Sequence, residues 1–252
     1  MPSLVDPVII LNFEAADPRV GQSCVSKQLG VNPVVSDPEP VIVVGAGGHA
    51  KVVIELIIAS ANYRIVGLVD KNRSGATGGI PVIGTDDDLR RLRQSGIERA
   101  FVALGDNRRR LMIGRQLQKL GFEIVNAISP TAVISPSAQL GAGIAIMPAA
   151  VVNADCHIED FAIINTGVII DHDGQIGEAS HIAPGCALAG TINVGRLAFV
   201  GTGTSVIPGI SIGEEAVVGA GACLISDVPP GMLAVGVPAK ILKRSNDTQN
   251  ER

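Results

Sequence analysis

Ile164-Asn-Thr-Gly-Val-Ile-Ile170-Asp-His-Asp-Gly-Gln-Ile176-Gly-Glu-Ala-Ser-His-Ile182 places an isoleucine at every sixth position. A period of six belongs neither to a helix nor to the alternation of a half-buried strand. Followed both ways, the phase runs Ile128, Ile134, Leu140, Ile146, Val152, Ile158, Ile164, Ile170, Ile176, Ile182, Leu188, Val194, Val200, Val206, Ile212, Val218 and Leu224. If about a third of residues were Ile, Leu or Val, chance would give such a run roughly once in 10⁸ trials, so the repeat is structural. Small residues sit two positions earlier in most hexads, as at Ala150, Cys156, Ala162, Gly174, Ser180, Cys186 and Ala198. Three hexads make one coil of a three-sided parallel β-helix, with the aliphatic residue inside the prism and the small one beside it. Glycines directly after the inward residue (Gly141, Gly177, Gly195, Gly201, Gly213, Gly219) read as easing the backbone at the corners.

Composition agrees with a stacked repeat. Hydrophobic residues make up 46% of the 252, but aromatic residues only 2%, and there are 30 glycines. The core is therefore aliphatic, and wholesale disorder is excluded. A net charge of −4 gives no basic excess to attract a phosphate polymer, so nucleic acid is not an expected partner. Cys24, Cys156, Cys186 and Cys223 form no CxxC pair. Neither a disulfide framework nor a zinc site is expected, and Cys156 and Cys186 read as core packing. Met1 to Leu11 has no basic start and does not read as a secretory signal. The apolar stretch from Val41 to Ala61 carries His49, Lys51 and Glu55, which argues against membrane insertion. A reducing cytoplasm is the expected compartment.

Upstream of the repeat, strand and helix signals alternate. Val41–Val44 reads as a buried strand, Lys51–Ser60 as a helix, Arg64–Val69 as a strand and Thr85–Gln94 as a capped helix. Ala100–Leu104, Arg108–Leu120 and Phe122–Val125 continue as strand, helix and strand, so a parallel α/β sheet is expected. The loop Gly45-Ala-Gly47-Gly48-His49-Ala50 fits G-x-G-x-x-A between strand and helix, with Asp70 at the end of the second strand. Residues 41–126 are too few for a doubled dinucleotide fold. The loop is read instead as holding one nucleotide by its phosphates, with Asp70 accepting from ribose or base. The expected organisation is a 1–40 extension without an assigned role, a 41–126 nucleotide-sugar domain, a 127–228 β-helix and a 229–252 tail.

The array and Val41-Ile-Val-Val-Gly-Ala-Gly-Gly-His-Ala-Lys51 together resemble one branch of the left-handed β-helix acyltransferases. That branch contains sialic acid O-acetyltransferases and acetyl-CoA-dependent N-acetyltransferases of nucleotide-linked 4-amino sugars. The most specific stretches are Ile164-Asn-Thr-Gly167, Asp171-His-Asp173, Ser180-His-Ile182, Leu188-Ala-Gly190, Asp227-Val-Pro-Pro-Gly231 and Gly236-Val-Pro-Ala-Lys240. The resemblance implies an α/β Rossmann-like N-terminal domain followed by a left-handed parallel β-helix. It further implies acetyl transfer from acetyl-CoA to the amino group of a nucleotide-linked 4-amino-4,6-dideoxy sugar, on a homotrimer with sites at subunit interfaces. By the same resemblance His172 is the catalytic base, supported by Asn165 and by Asp173, where the family commonly has Glu. Gly45, Gly47, Gly48, His49, Asp70, Lys71 and His181 fall at sugar-nucleotide positions. His181, Gly190, Thr202 and Ala220 fall at acetyl-CoA positions, and no metal is implied.

The residues themselves favour His172 as a proton acceptor, because imidazole titrates near neutrality and carboxylates flank it. Gly190 lies 18 residues later, one coil along the same column, where a missing side chain lets a thioester approach the backbone. His157, His172 and His181 are spaced 15 and 9 apart, so no two share a column. That spacing disfavours a carbonic-anhydrase-like metal site. An O-acetyltransferase acting on sialic acid and a non-catalytic sugar-nucleotide sensor remain as other readings.

Overall fold

Seventeen two-residue strands, β7 (Ala127–Ile128) through β23 (Cys223–Leu224), recur every six residues. The second residue of each is the aliphatic position of the repeat. The structure, a computed structural model, describes residues 38–243, so the expected 1–40 extension lies outside the described residues save for its last three. Strands one coil apart pair in parallel at a register of 18, as in Ala145↔Ile163 and Ile146↔Ile164. Three walls result, and the prism is a left-handed parallel β-helix. Ile146, Ile158, Ile164, Ile170 and Ile182 are completely buried in its core, with Ala150, Ala162, Ser180 and Cys186 beside them. Cys156 Sγ donates to Asp171 O (3.1 Å) and Cys186 Sγ to Gly201 O (3.1 Å).

The corners depart from the sequence reading. The left-handed backbone occurs three residues after the inward one, from Gly143 to Gly221, including Ala149, Asp155, Phe161, Asp173, Ala179, Thr191, Leu197 and Glu215. The glycines one residue after the inward position have another cause. A Cβ on Gly177 would stand 2.6 Å from Arg196 N, and one on Gly195 would stand 2.4 Å from Glu214 N. These glycines let neighbouring coils touch, and the corner's positive φ is borne two positions later by residues of every kind.

The N-terminal part is a Rossmann-like α/β unit. Its strands β1 (Glu39–Val44), β2 (Tyr63–Val69), β3 (Ala76–Thr77), β4 (Ile80–Gly84), β5 (Arg99–Val102) and β6 (Glu123–Ile124) lie in the order β3-β4-β2-β1-β5-β6. All pairs are parallel except the β3/β4 hairpin. The hairpin leaves no mark in the sequence, because its two-residue first strand carries no period. Helices α1 (Gly48–Ser60), α2 (Leu89–Gln94) and α3 (Asn107–Lys119) complete the unit. Helix α1 starts three residues earlier than the apolar spacing suggested, directly on the glycine loop. Thr85 and Asp88 form a capping box on a short 3-10 turn (Asp86–Asp88) ahead of α2. No helix among the described residues is long and apolar enough to cross a membrane.

The outward residue of each strand gives each wall its own character. Wall A presents Ala127, Ala145, Ile163, His181, Phe199 and Val217, and its first three residues are buried. Ala50, Val53 and Ile57 of α1 share a core cluster with Ala127, Ala145 and Ile163. Wall B presents Val133, Val151, Ile169, Ala187, Ser205 and Cys223, and wall C presents Gln139, His157, Gln175, Asn193 and Ser211. Helix α3 lies on the corner between walls C and A. Gly114 there leaves room for Phe161, whose ring a Cβ would meet at 2.4 Å. Strands β24 (Leu233–Val235) and β25 (Lys240–Leu242) extend wall A at its far end. Truncating an inward residue should therefore be far costlier than truncating a wall C residue. Ile164→Ala is expected to lose about 2–5 kcal/mol in urea unfolding, and Gln175→Ala less than about 0.5 kcal/mol. Equal losses would contradict the assignment of inside and outside.

Candidate active site

Parallel strands deliver their following loops to one edge of the sheet. Gly47, Gly48, His49, Asp70, Asn72, Arg73, Ala103, Leu104, Gly105 and Arg109 there line a cleft of about 420 Å³. Gly45 has φ +115°, and a Cβ on it would stand 2.6 Å from Ala103 O, so only glycine fits. Gly47 and Gly48 differ: a Cβ on either would meet nothing within 4 Å. The loop thus opens the N-terminus of α1 to the cleft, and no acidic residue occupies its first turn. Free N–H groups at such a terminus suit a phosphate.

The Asp70 carboxylate holds this loop in place. One oxygen accepts from Ala46 N (2.8 Å), the other from Asn72 N (2.8 Å) and Arg73 N (3.1 Å). Thr77 of the hairpin adds a hydrogen bond from Oγ1 to Ala46 O (3.0 Å). Lys71 is exposed and stands outside the cleft lining, whereas Arg73 and Arg109 line it. Sequence reasoning missed both arginines. The signal for Arg109 was present in Asp106-Asn-Arg-Arg109, which follows a strand and opens a helix just as the glycine loop does. Asp106 caps that helix by accepting from Arg109 N (2.7 Å).

Next to the cleft, His181 projects from wall A. Its Nε2 lies 3.0 Å from Asn165 Nδ2, and its ring meets Phe199 edge-on at 5.2 Å. With Asn165 donating, His181 Nε2 accepts and the ring proton belongs on Nδ1. Burial, then the Arg110 charge, then His49 lower the His181 pKa to about 3. Burial and Arg110 likewise lower that of His49 to about 4. Both rings are neutral at physiological pH, so neither acts as a cation.

His172 lies elsewhere, at the corner between walls B and C, across the prism from wall A. Its Nδ1 is 2.8 Å from Asp173 Oδ2, and its backbone N–H donates to Asp171 Oδ1 (2.9 Å). Asn153, one coil back, donates to the same Asp171 oxygen (3.0 Å). The Asp173 hydrogen bond, reinforced by the Asp171 charge, raises the His172 pKa above its ordinary value. The ring rests on Gly190, where a Cβ would stand 2.6 Å from Cε1 and 2.7 Å from Nε2. Gly190 is thus placed against the imidazole. Asn165 is placed with His181, on the side away from His172. Thr202 and Ala220 stand exposed, one coil apart, at the corner between walls A and B. Between these two corners wall B carries a shallow groove of about 380 Å³ lined by Ile169, Ala187, Ile207 and Cys223 among others. Among the described residues no three His, Cys, Asp or Glu side chains are grouped to hold a metal.

A phosphate-ready cleft beside a three-sided β-helix that bears an oriented His–Asp pair defines the class of hexapeptide-repeat acyltransferases. Residues 40–117 match the PglD N-terminal domain family. PerB from Caulobacter crescentus, crystallised with CoA and GDP-perosamine, is 49% identical, with 81% of this chain and 97% of that one covered at a TM-score of 0.78. The acetyltransferase domain of PglB from Neisseria gonorrhoeae, in complex with acetyl coenzyme A, is 38% identical, with 81% and 100% covered and the same TM-score. UDP-N-acetylbacillosamine N-acetyltransferase of Bacillus subtilis is 37% identical over 109 residues, 42% of this chain and 50% of that protein. The chain matches half or less of the length of its curated relatives. The chain belongs to the hexapeptide-repeat sugar acetyltransferases with a PglD-type N-terminal domain.

The two neutral histidines carry a consequence for stability. Unfolded, each takes up a proton near pH 6.5; folded, each resists until about pH 4 or 3. Below pH 6.5 the unfolded state therefore binds more protons, and stability falls as pH falls, by about 1.4 kcal/mol per pH unit for each group. Urea unfolding between pH 7.5 and 4.5 should show this loss, and His49→Gln and His181→Gln should each reduce it. A flat profile in the wild-type protein would contradict neutral burial.

Proposed function

We propose that this chain transfers the acetyl group of acetyl-CoA to the amino group of a nucleotide-linked amino sugar of the 4-amino-4,6-dideoxy type. The observation that carries the reading is the His172–Asp173 pair, with Nδ1 held at 2.8 Å and the ring lying open over Gly190. Asp173 accepts a hydrogen bond from Nδ1–H, which leaves the Nε2 lone pair to take a proton from the attacking amine. As nitrogen bonds to the thioester carbon, the carbon–sulfur bond breaks, and His172 returns the proton to the departing thiolate. Gly45, Gly47, Gly48 and Asp70 shape the nucleotide cleft, where Arg73 and Arg109 face the diphosphate. His49 and His181, uncharged, orient the sugar without repelling its ammonium form.

Within one chain the prism separates His172 from the cleft, which supports an assembly in which a neighbouring copy supplies the base. Wall B, with Val133 and Ile169 exposed and a groove between the Thr202–Ala220 and His172–Gly190 corners, suits contact with a second prism. We assign a homotrimer, with acetyl-CoA held between prisms by Gly190, Thr202, Ala220 and His181. The cytoplasm is the assigned compartment, in keeping with the free thiols of Cys156, Cys186 and Cys223.

The test is thiol release from acetyl-CoA against a panel of GDP- and UDP-linked 4-amino sugars and free sialic acid. Release with an amino-sugar nucleotide is expected, whereas release with sialic acid alone would turn the reading to O-acetylation. His172→Ala should lower kcat by about 10²–10⁴ in a folded protein. The acidic limb of the wild-type pH profile should lie above the ordinary histidine value of 6.5, because Asp173 stabilises the imidazolium. In Asp173→Asn it should move to lower pH with a smaller kcat. An unmoved limb would remove Asp173 from the mechanism.

A further inference from the structure

We infer that Asn107 and Arg110 are positioning residues that lock the nucleotide cleft to the coil carrying His181. The inference deepens the acetyl-transfer reading and rests on it for its kinetic test alone. Arg110, on the first turns of α3, is 1% exposed, and all three guanidinium nitrogens donate to oxygen. Nη1 bonds Leu104 O (2.9 Å) and Gly105 O (3.2 Å), the wall of the cleft. Nε bonds Phe161 O (2.7 Å), and Nη2 bonds Ala179 O (2.8 Å) and Ser180 O (3.2 Å), the residues leading into His181. One planar group thus spans both halves of the site.

Asn107 lies three residues away on the same helix face and completes the clamp. Its Oδ1 accepts from Arg110 Nη2 (2.8 Å), and its Nδ2 donates to Leu197 O (3.0 Å) and Ala198 O (3.1 Å), one coil further on. Phe161, Ala179 and Leu197 are successive left-handed corner residues. No backbone N–H among the described residues reaches their carbonyls, so helix α3, which covers them, brings the donors. Apolar contact already holds the two parts together and is non-directional. A rigid fork of donors adds the direction, fixing where Gly105 stands relative to His181. The charge also faces both buried imidazoles, His49 and His181, and contributes to keeping them neutral.

The test separates positioning from mere support. In Arg110→Lys and Asn107→Ala, KM for the nucleotide-linked amino sugar is expected to rise about tenfold. The Kd for the free nucleoside diphosphate, measured by calorimetry, should stay within twofold, because its contacts lie within the α/β unit. Equal weakening of both would overturn the inference. So would a fall in kcat alone that follows the folded fraction seen by circular dichroism. In Arg110→Met, side-chain NMR should find His181 titrating above its wild-type value, since the cation that opposes protonation is gone. An unmoved titration overturns the clamp's link to His181. That readout needs no substrate, so it stands even if the reaction proves to be of another class.

Discussion

A coil of this prism closes when one aliphatic side chain from each wall, such as Ile164, Ile170 and Ile176, meets the other two at the axis. The requirement sets the 18-residue pitch and with it the phase of every other position. One residue after the inward side chain, at Gly177 and Gly195, the next coil approaches so closely that a Cβ has no room. Three residues after it, from Gly143 to Gly221, the backbone turns left-handed whatever the residue, even at Thr191 and Phe161. The corner conformation costs of order 1–2 kcal/mol at each such residue, which the buried columns on either side offset. His172 and Asp173 inherit their geometry from this frame. Asp173 is itself a left-handed corner residue, and its turn brings the carboxylate back onto the neighbouring imidazole.

Three walls repeat the same interior and differ outside, and the difference divides the chemistry. Wall A takes the α/β unit on Ala127, Ala145 and Ile163, then presents His181 and Phe199 beside the cleft. Wall C is polar. The corner bearing His172 faces away from wall A, so His172 and the cleft stand apart in a single chain. The separation is a property of the topology and not of any one side chain, and it makes assembly part of the proposed mechanism.

Most of this architecture was legible in the sequence, because a period of six leaves an unbroken mark from Ile128 to Leu224. The glycine loop and the His172–Asp173 pair were legible for a related reason: each is local, carried by residues within a few positions of one another, whereas Asp70 is marked by its place at the end of the second strand. What escaped was non-local. Arg110 reads as one of three arginines in Asn107-Arg-Arg-Arg110, and nothing in that run tells which is buried. Its partners, Phe161 and Ala179, lie 51 and 69 residues away. The pairing of Asn165 with His181 was hidden similarly, since it joins successive coils at wall A. Gly190 stands out in the sequence by its column, and the structure adds the neighbour that fills the space, the His172 ring.

The central claim is that base and cleft come from different copies of the chain, and mixing two inactive variants tests it most directly. His172→Ala lacks the base. Gly48→Glu places a negative charge where the diphosphate binds, at a position whose Cβ meets nothing within 4 Å. Each variant alone should release thiol from acetyl-CoA with the amino-sugar nucleotide at about 1% of the wild-type rate or less. Unfolded together in equal amounts and refolded, they should recover about a quarter of wild-type activity, because chance pairing joins an intact base to an intact cleft at one site in four. If the mixture stays as inactive as its parts while circular dichroism shows native folding, the site lies within one chain and the account is wrong.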